Sequence, residues 1–274
     1  MGVPRPARVE RTDQETVKLQ LLPSSFDEGG QASVRQHLAT FVIDDRVAID
    51  AGSLGPAAND VQRQNIRDVV LTHAHLDHIA GLPLFLDDLF SELNEPVRIH
   101  ARRSVIDVLE EHIFNWQVYP RFSELSNGNS PIIEYVELET GVINRIAHLN
   151  VLPVSVNHVV PSTGFIISDE RTTVAFTGDT FEMDVFWDHV NAIQNLSALL
   201  IECAFPNRLT DLAKTSGHMT PQRLLAELAK FKLPDCPIYA INVKPSYREE
   251  TIAELQALDI ANLRMLDVVR IYDF

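Results

Sequence analysis

The chain has 274 residues, 45% of them hydrophobic, and carries 38 acidic against 23 basic side chains for a formal net charge of −15. That length and apolar content predict one folded domain over residues 1–274, and the charge disfavours a long nucleic acid, since no basic stripe with interleaved aromatics offsets it. No apolar run is long enough to span a bilayer, the opening Met1-Gly2-Val3-Pro4-Arg5-Pro6 lacks the apolar core of a secretory signal, and Cys203 and Cys236 provide no disulfide framework, so a cytoplasmic protein without a membrane partner is expected.

Strand-like segments open the chain at 17–22, 32–43 and 46–50, with Asp44-Asp45 as a hairpin turn and Asp50-Ala51-Gly52 closing the third. Asp68-Val69-Val70-Leu71-Thr72 reads as a buried strand, and Gly81-Leu82-Pro83 starts a helix with Leu84, Phe85, Leu86, Leu89 and Phe90 at helical spacing. A strand at 97–101 precedes a helix striped by Val105, Ile106, Leu109, Ile113 and Phe114. Residues 119–131, rich in Ser, Asn, Gly and Pro, read as a mobile loop near a site mouth. Strands at 132–138, 147–156, 164–168 and 172–176 follow, then alternating helices and strands, so that two α/β halves are expected to fold together. Thr220-Pro221 begins a helix with Leu224, Leu225 and Leu228 on its buried face, and Ser246-Tyr247-Arg248-Glu249 has the form of a capping box.

Between the strand at 68–72 and the helix at Gly81 lies Thr72-His73-Ala74-His75-Leu76-Asp77-His78. Three imidazoles and a carboxylate in so short a run suit Zn²⁺, with Mn or Fe as alternatives, and packing alone does not explain them. An extended stretch sends His73 and His75 to one side, whereas a tight turn can aim Asp77 and His78 at a second ion. Such a run cannot close two metal shells by itself. Two further donors stand just past apolar strands: His158, in Val156-Asn157-His158, and Asp179, in Thr177-Gly178-Asp179-Thr180.

The His-x-His-x-Asp-His run, His158 and the Gly-Asp179 pair together resemble the motif series of the metallo-β-lactamase superfamily. The resemblance implies a four-layer αββα sandwich with metal at one edge between the sheets. His73, His75 and His158 would hold one ion, Asp77 and His78 a second, and Asp179 would bridge them. A narrower likeness rests on Ile201-Glu202-Cys203-Ala204-Phe205-Pro206-Asn207, Ser216-Gly217-His218-Met219-Thr220-Pro221 and Lys244-Pro245, which are similar to the class II cyclic nucleotide phosphodiesterases. It implies hydrolysis of cyclic AMP or cyclic GMP to the 5′-nucleotide by a metal-bound hydroxide, with one or two zinc ions. The chain departs from that pattern in Leu82-Pro83-Leu84-Phe85-Leu86 after Gly81. It departs again at Asn242, which stands where such relatives carry a metal-binding His. An amide oxygen is a weaker zinc ligand than imidazole, so the second site is expected to be weak, filled by another metal, or empty.

His218 lies outside the ligand set and is the expected proton donor to the leaving ribose oxygen, with Glu202 holding it cationic and Asp77 counted among the catalytic groups as well as the ligands. Asp50 is a candidate to orient a ligand histidine. His37, His100, His112, His148 and His189 read as ordinary residues, and Trp116 and Trp187 as packing groups with a base pocket as the alternative. The expected partner is a small phosphodiester. Another phosphodiesterase, an ester or thioester hydrolase, and a non-catalytic binding protein with an impaired second site stay open, as does oligomeric state, for which a homodimer is admissible.

Overall fold

The computed structural model describes residues 16–274, and Met1 to Pro6 lie outside the described residues. The first sheet takes β1 (Lys18–Leu21), β2 (Phe41–Ile43), β3 (Val47–Ile49), β4 (Asp68–Val70), β5 (Val97–Ala101) and β6 (Ile133–Glu137). The second takes β7 (Asn144–Ile146), β8 (Leu149–Val156), β9 (Ser162–Ser168), β10 (Thr173–Phe176), β11 (Ala198–Glu202), β12 (Ile238–Ile241) and β13 (Leu263–Met265), while β14 (Ile271–Asp273) returns to the first sheet. The orders are β14-β1-β2-β3-β4-β5-β6 and β13-β12-β11-β10-β9-β8-β7. Each sheet is antiparallel on one side and parallel on the other, β3 to β6 in the first and β10 to β13 in the second.

Period-two alternation assigns the faces. Phe41, Ile43, Val47, Ile49 and Val70 point into a core shared with Phe165, Val174, Phe176, Leu200 and Ile241 of the other sheet. Val42, Ala48, Val69 and Leu71 point the opposite way, onto Leu82, Phe85, Leu86 and Leu89 of the helix Leu82–Leu89. Ala175, Leu199, Ile201 and Ala240 of the second sheet pack on Phe186, Trp187, Leu224 and Leu255 of its own helices. Helix, sheet, sheet and helix therefore stack as four layers, as expected. Among the described residues no helix is long and apolar enough to cross a membrane.

The hairpin at Asp44-Asp45 forms as expected, both residues taking the positive φ (52° and 53°) that a tight β2–β3 connection needs. Other expectations are corrected. Of 32–43 only Phe41–Ile43 is strand; before it, serine hydroxyls hold the backbone, Ser24 Oγ accepting from His37 N and Ser25 Oγ donating to Arg35 O, which competes with a ladder. The segment 147–156 begins one turn later than expected, because Ala147 at φ 51° reverses the chain between β7 and β8. Residues 119–131 form a packed segment: Phe122 is buried against Phe90, Phe114 and Tyr119, and the Asn127 amide donates to the carbonyls of Phe90 and Leu93. Its aromatic anchor outweighs its loop-like composition. Ser246 caps nothing, because Pro245–Tyr247 is already a 3-10 turn and draws Ser246 into it; the described capping box is Asn59 with Gln62. Leu225 is exposed, and Glu227 takes the buried position, accepting from Trp187 Nε1 at 2.8 Å.

Candidate metal centre

The candidate residues gather where the carboxyl ends of the parallel strands of both sheets meet, the place where open α/β sheets put their chemistry. Thr163 N donates to Thr72 O at 3.1 Å and ties the two sheets together there. Asp50, Gly178 and Asn242 follow β3, β10 and β12 with φ of 59°, 62° and 58°. This left-handed turn is one that Asp and Asn tolerate better than other side-chain-bearing residues, and it redirects the chain at each strand end.

Fully buried Asp50 accepts from the Thr72 backbone N at 2.8 Å, from the Thr72 hydroxyl at 2.9 Å and from His78 Nδ1 at 2.6 Å. The Thr72 oxygen lies 2.9 Å from His73 Nδ1. With the hydroxyl proton given to Asp50, that oxygen accepts the His73 Nδ1 proton, which fixes the tautomer. His158 Nδ1 donates to Gly217 O at 2.8 Å. Gly217 can stand there because it has no Cβ: at φ 70°, a Cβ would lie 2.8 Å from His158 Nδ1.

His73 and His158 therefore commit Nδ1 outward and turn Nε2 inward, while His78 gives Nδ1 to Asp50 and sets Nε2 3.2 Å from Asp179 Oδ2. His73 Nε2 is buried without a hydrogen-bond partner. His158 Nε2 faces His75 Nδ1 at 3.2 Å, and the His73 ring lies 4.6 Å from His75, 4.2 Å from His78 and 5.0 Å from His158 between centroids. Donor atoms of His73, His75 and His158, and likewise of His73, His78 and Asp179, lie within 4.8 Å of one another. Converging lone pairs with an orphaned buried nitrogen fit one divalent ion of the kind imidazole and carboxylate prefer.

The charges follow this geometry. Burial holds His73 well below the usual histidine range, and burial also lowers His75 and His158, so all three favour the neutral form a metal requires. Burial opposes charge on His78 too, but Asp179 and Asp50 outweigh it and raise the ring well above its ordinary value. Burial would push Asp179 up, yet His78, His73 and His218 hold it well below the carboxylate range.

A second cluster flanks the first. Glu202, fully buried at the end of β11, accepts from His218 Nδ1 at 2.8 Å, Thr180 N at 3.0 Å and Met219 N at 3.3 Å. Burial raises Glu202; it also opposes the charge of His218, but Glu202 and Asp179 prevail there and raise the ring. His218 stacks edge-on to His158 at 4.9 Å, within reach of the metal cluster.

The second metal position expected from the sequence is not assembled in the same way. Asp77 joins none of the donor groupings found among the described residues; its Oδ2 lies 3.1 Å from Lys244 Nζ. Asn242 presents its amide nitrogen to Asp179 Oδ1 at 2.6 Å, as a donor. The residues thus fit one ion and do not fit a second at Asp77 and Asn242. Sequence reasoning missed the Thr72 hydroxyl, the Gly217 carbonyl and the lysine, which enters it only within a Lys-Pro motif. His100 and His148 pair with Asp68 and Asp44 at 2.8 and 2.7 Å, away from the centre. Trp187 is core, and Trp116 is exposed.

The family model of the Beta-lactamase superfamily domain matches residues 45–235. A probable 3′,5′-cyclic-nucleotide phosphodiesterase of Yersinia pestis is 29% identical over 212 residues, covering 68% of this chain and 60% of the relative. A ribonuclease Z of Leuconostoc mesenteroides is 27% identical over 142 residues, covering 48% of this chain and 42% of that protein. The chain thus spans less than two thirds of the length of each of these relatives. Among solved structures, unliganded yeast PDE1 superposes with a TM-score of 0.74 at 17% identity, covering 95% of this chain and all (100%) of that one, which shows a shared fold.

Proposed function

The chain belongs to the β-lactamase superfamily and has its hydrolase fold, and from that premise we propose that it is a metal-dependent 3′,5′-cyclic-nucleotide phosphodiesterase acting on cyclic AMP or cyclic GMP. The observation that carries this reading is the buried Glu202–His218 pair, 2.8 Å between Oε1 and Nδ1, set beside the imidazole cluster. Opening a cyclic phosphodiester needs charge neutralisation at phosphorus and a proton for the departing ribose oxygen, and the two clusters divide that work.

His73, His75, His158 and Asp179 would hold the ion, with His78 beside them. When bound, a divalent ion neutralises phosphate charge and makes water nucleophilic near neutral pH. The Thr72 hydroxyl, itself held by Asp50, and the Gly217 carbonyl hold the His73 and His158 rings in the tautomer that leaves Nε2 free. Glu202 keeps the His218 Nδ1 proton in place, so Nε2 is the nitrogen that gives a proton to the 3′-oxygen as the P–O bond breaks and the 5′-phosphate remains. The relatives named as cyclic-nucleotide phosphodiesterases support this substrate class, and a formal charge of −15 suits a small anion better than a polyanion. A cytoplasmic location belongs to the same proposal.

The ribonuclease Z relative favours an RNA phosphodiester as the second substrate class. The two separate in one assay of zinc- or manganese-loaded protein against cyclic AMP, cyclic GMP, a generic aryl phosphodiester and a structured RNA. The expected result is a kcat/KM for one cyclic nucleotide roughly 10²-fold above the others. RNA cleavage without cyclic nucleotide turnover would refute the proposal.

A further inference from the structure

Both oxygens of Asp179 are engaged, Oδ1 by the Asn242 amide at 2.6 Å and Oδ2 by His78 Nε2 at 3.2 Å. At that distance from a carboxylate, the group turned toward Asp179 must be the amide nitrogen, which has no lone pair for a metal. On the other flank, Lys244 Nζ lies 3.1 Å from Asp77 Oδ2 and donates to it. The lysine is placed by the fold: its backbone N donates to Ala204 O at 3.0 Å, just past β11, and Pro245 locks the turn that follows. An ammonium paired with Asp77 supplies positive charge where a second cation would supply it, and it repels a divalent ion from the same space.

We propose that the chain works with one divalent ion, held by the His73, His75, His158 and Asp179 side of the centre, and that the Lys244 ammonium, paired with Asp77, takes the place of the second. The proposal rests on the metal-hydrolase part of the reading above and makes no use of the choice of base or ester. Asn242 and Lys244 act together in it: the amide withdraws a ligand and occupies Asp179 Oδ1, and the ammonium neutralises Asp77. A substrate phosphate would then meet one divalent charge and one fixed monovalent charge.

Metal stoichiometry tests this without reference to turnover. The full chain is titrated with Zn²⁺ and with Mn²⁺, bound ions are counted by native mass spectrometry, and the Mn²⁺ form is examined by electron paramagnetic resonance. The expected wild-type result is one ion per chain with an uncoupled spectrum. Two ions of similar affinity with an exchange-coupled spectrum would overturn the proposal. The double variant Asn242→His with Lys244→Ala is expected to take up a second ion and show coupling; a folded double variant that still binds one ion would equally overturn it. If the double variant does not fold, the wild-type count and spectrum decide alone. Failure of the substrate reading looks different: one ion bound and no cyclic nucleotide turnover leaves the stoichiometry intact, whereas two ions with turnover removes this proposal and spares that reading.

Discussion

The two ends of β4 meet the same residue types, histidine and aspartate, and use them for opposite purposes. At its amino end, Asp68 receives Arg98 Nε at 2.7 Å, Arg98 Nη2 at 2.9 Å and His100 Nε2 at 2.8 Å, so one carboxylate collects three donors. At its carboxyl end, Asp50 collects Thr72 and His78, and beyond them donor atoms of His73, His75 and His158, and of His73, His78 and Asp179, draw together. A lone unpartnered ring nitrogen is not what separates the ends, because His100 Nδ1 lacks a partner just as His73 Nε2 does. Convergence separates them: the orphan of His73 faces three other rings, whereas His100 serves a carboxylate already saturated by arginine. One end is electrically complete, and the other gathers donor atoms that suit a cation.

The contrast would break first at His73. His73→Ala is expected to lose the bound ion and lower phosphodiester turnover by roughly 10³-fold or more, the several kcal/mol a metal supplies at a phosphoryl centre. His100→Ala should keep its metal content, so equal metal loss in the two variants, measured by elemental analysis, would erase the distinction between the ends. His218→Ala comes next, with kcat down about 10²- to 10⁴-fold, the ion retained, and partial rescue by added imidazole. Full turnover in that variant would remove His218 from the reaction. Asp50→Asn is a finer cut. It removes an acceptor from His78 and Thr72 and should weaken metal affinity by about 10- to 100-fold while the ligand set stays whole. Unchanged affinity in a competition titration would make Asp50 a purely structural group, like Asp68.

The sequence made one side of this comparison readable and left the other dark for a physical reason. His73, His75, Asp77 and His78 announce themselves because a strand end fixes their spacing locally, and His158 and Asp179 because each is a polar residue just past an apolar run. The layers follow from period-two alternation in β2 to β4 and β10 to β12. Partners that depend on the approach of distant segments are not encoded in spacing: Lys244 reaches Asp77 across 167 residues and His148 reaches Asp44 across 104. The Tyr119-to-Pro131 segment is the loop its composition suggests, but Phe122 and the Asn127 amide pin it to the core, which composition does not show. Asn242 is legible as an odd residue at a strand end, but its amide turned toward Asp179 is visible only in three dimensions.

The smallest effect on turnover, and the one that tests the electrically complete end, belongs to Asp68. Burial would raise its carboxyl, but the hydrogen bonds from Arg98 and His100 prevail and hold it at about 2, below its ordinary 3.8. A carboxyl depressed on folding binds fewer protons in the folded chain than in the unfolded one, so its contribution is whole above the unfolded value and is lost as pH falls through the folded value. The shift corresponds to a stabilisation on the order of 2 kcal/mol near neutral pH. Asp68→Asn should therefore unfold at lower urea concentration near neutrality, and in metal-free protein its deficit should shrink as pH falls from about 4 toward about 2. Its metal content and kcat should match wild type. A deficit that stays constant across that window would mean the Asp68 charge contributes nothing, and a loss of metal would mean that the two ends of β4 are coupled through the strand rather than independent.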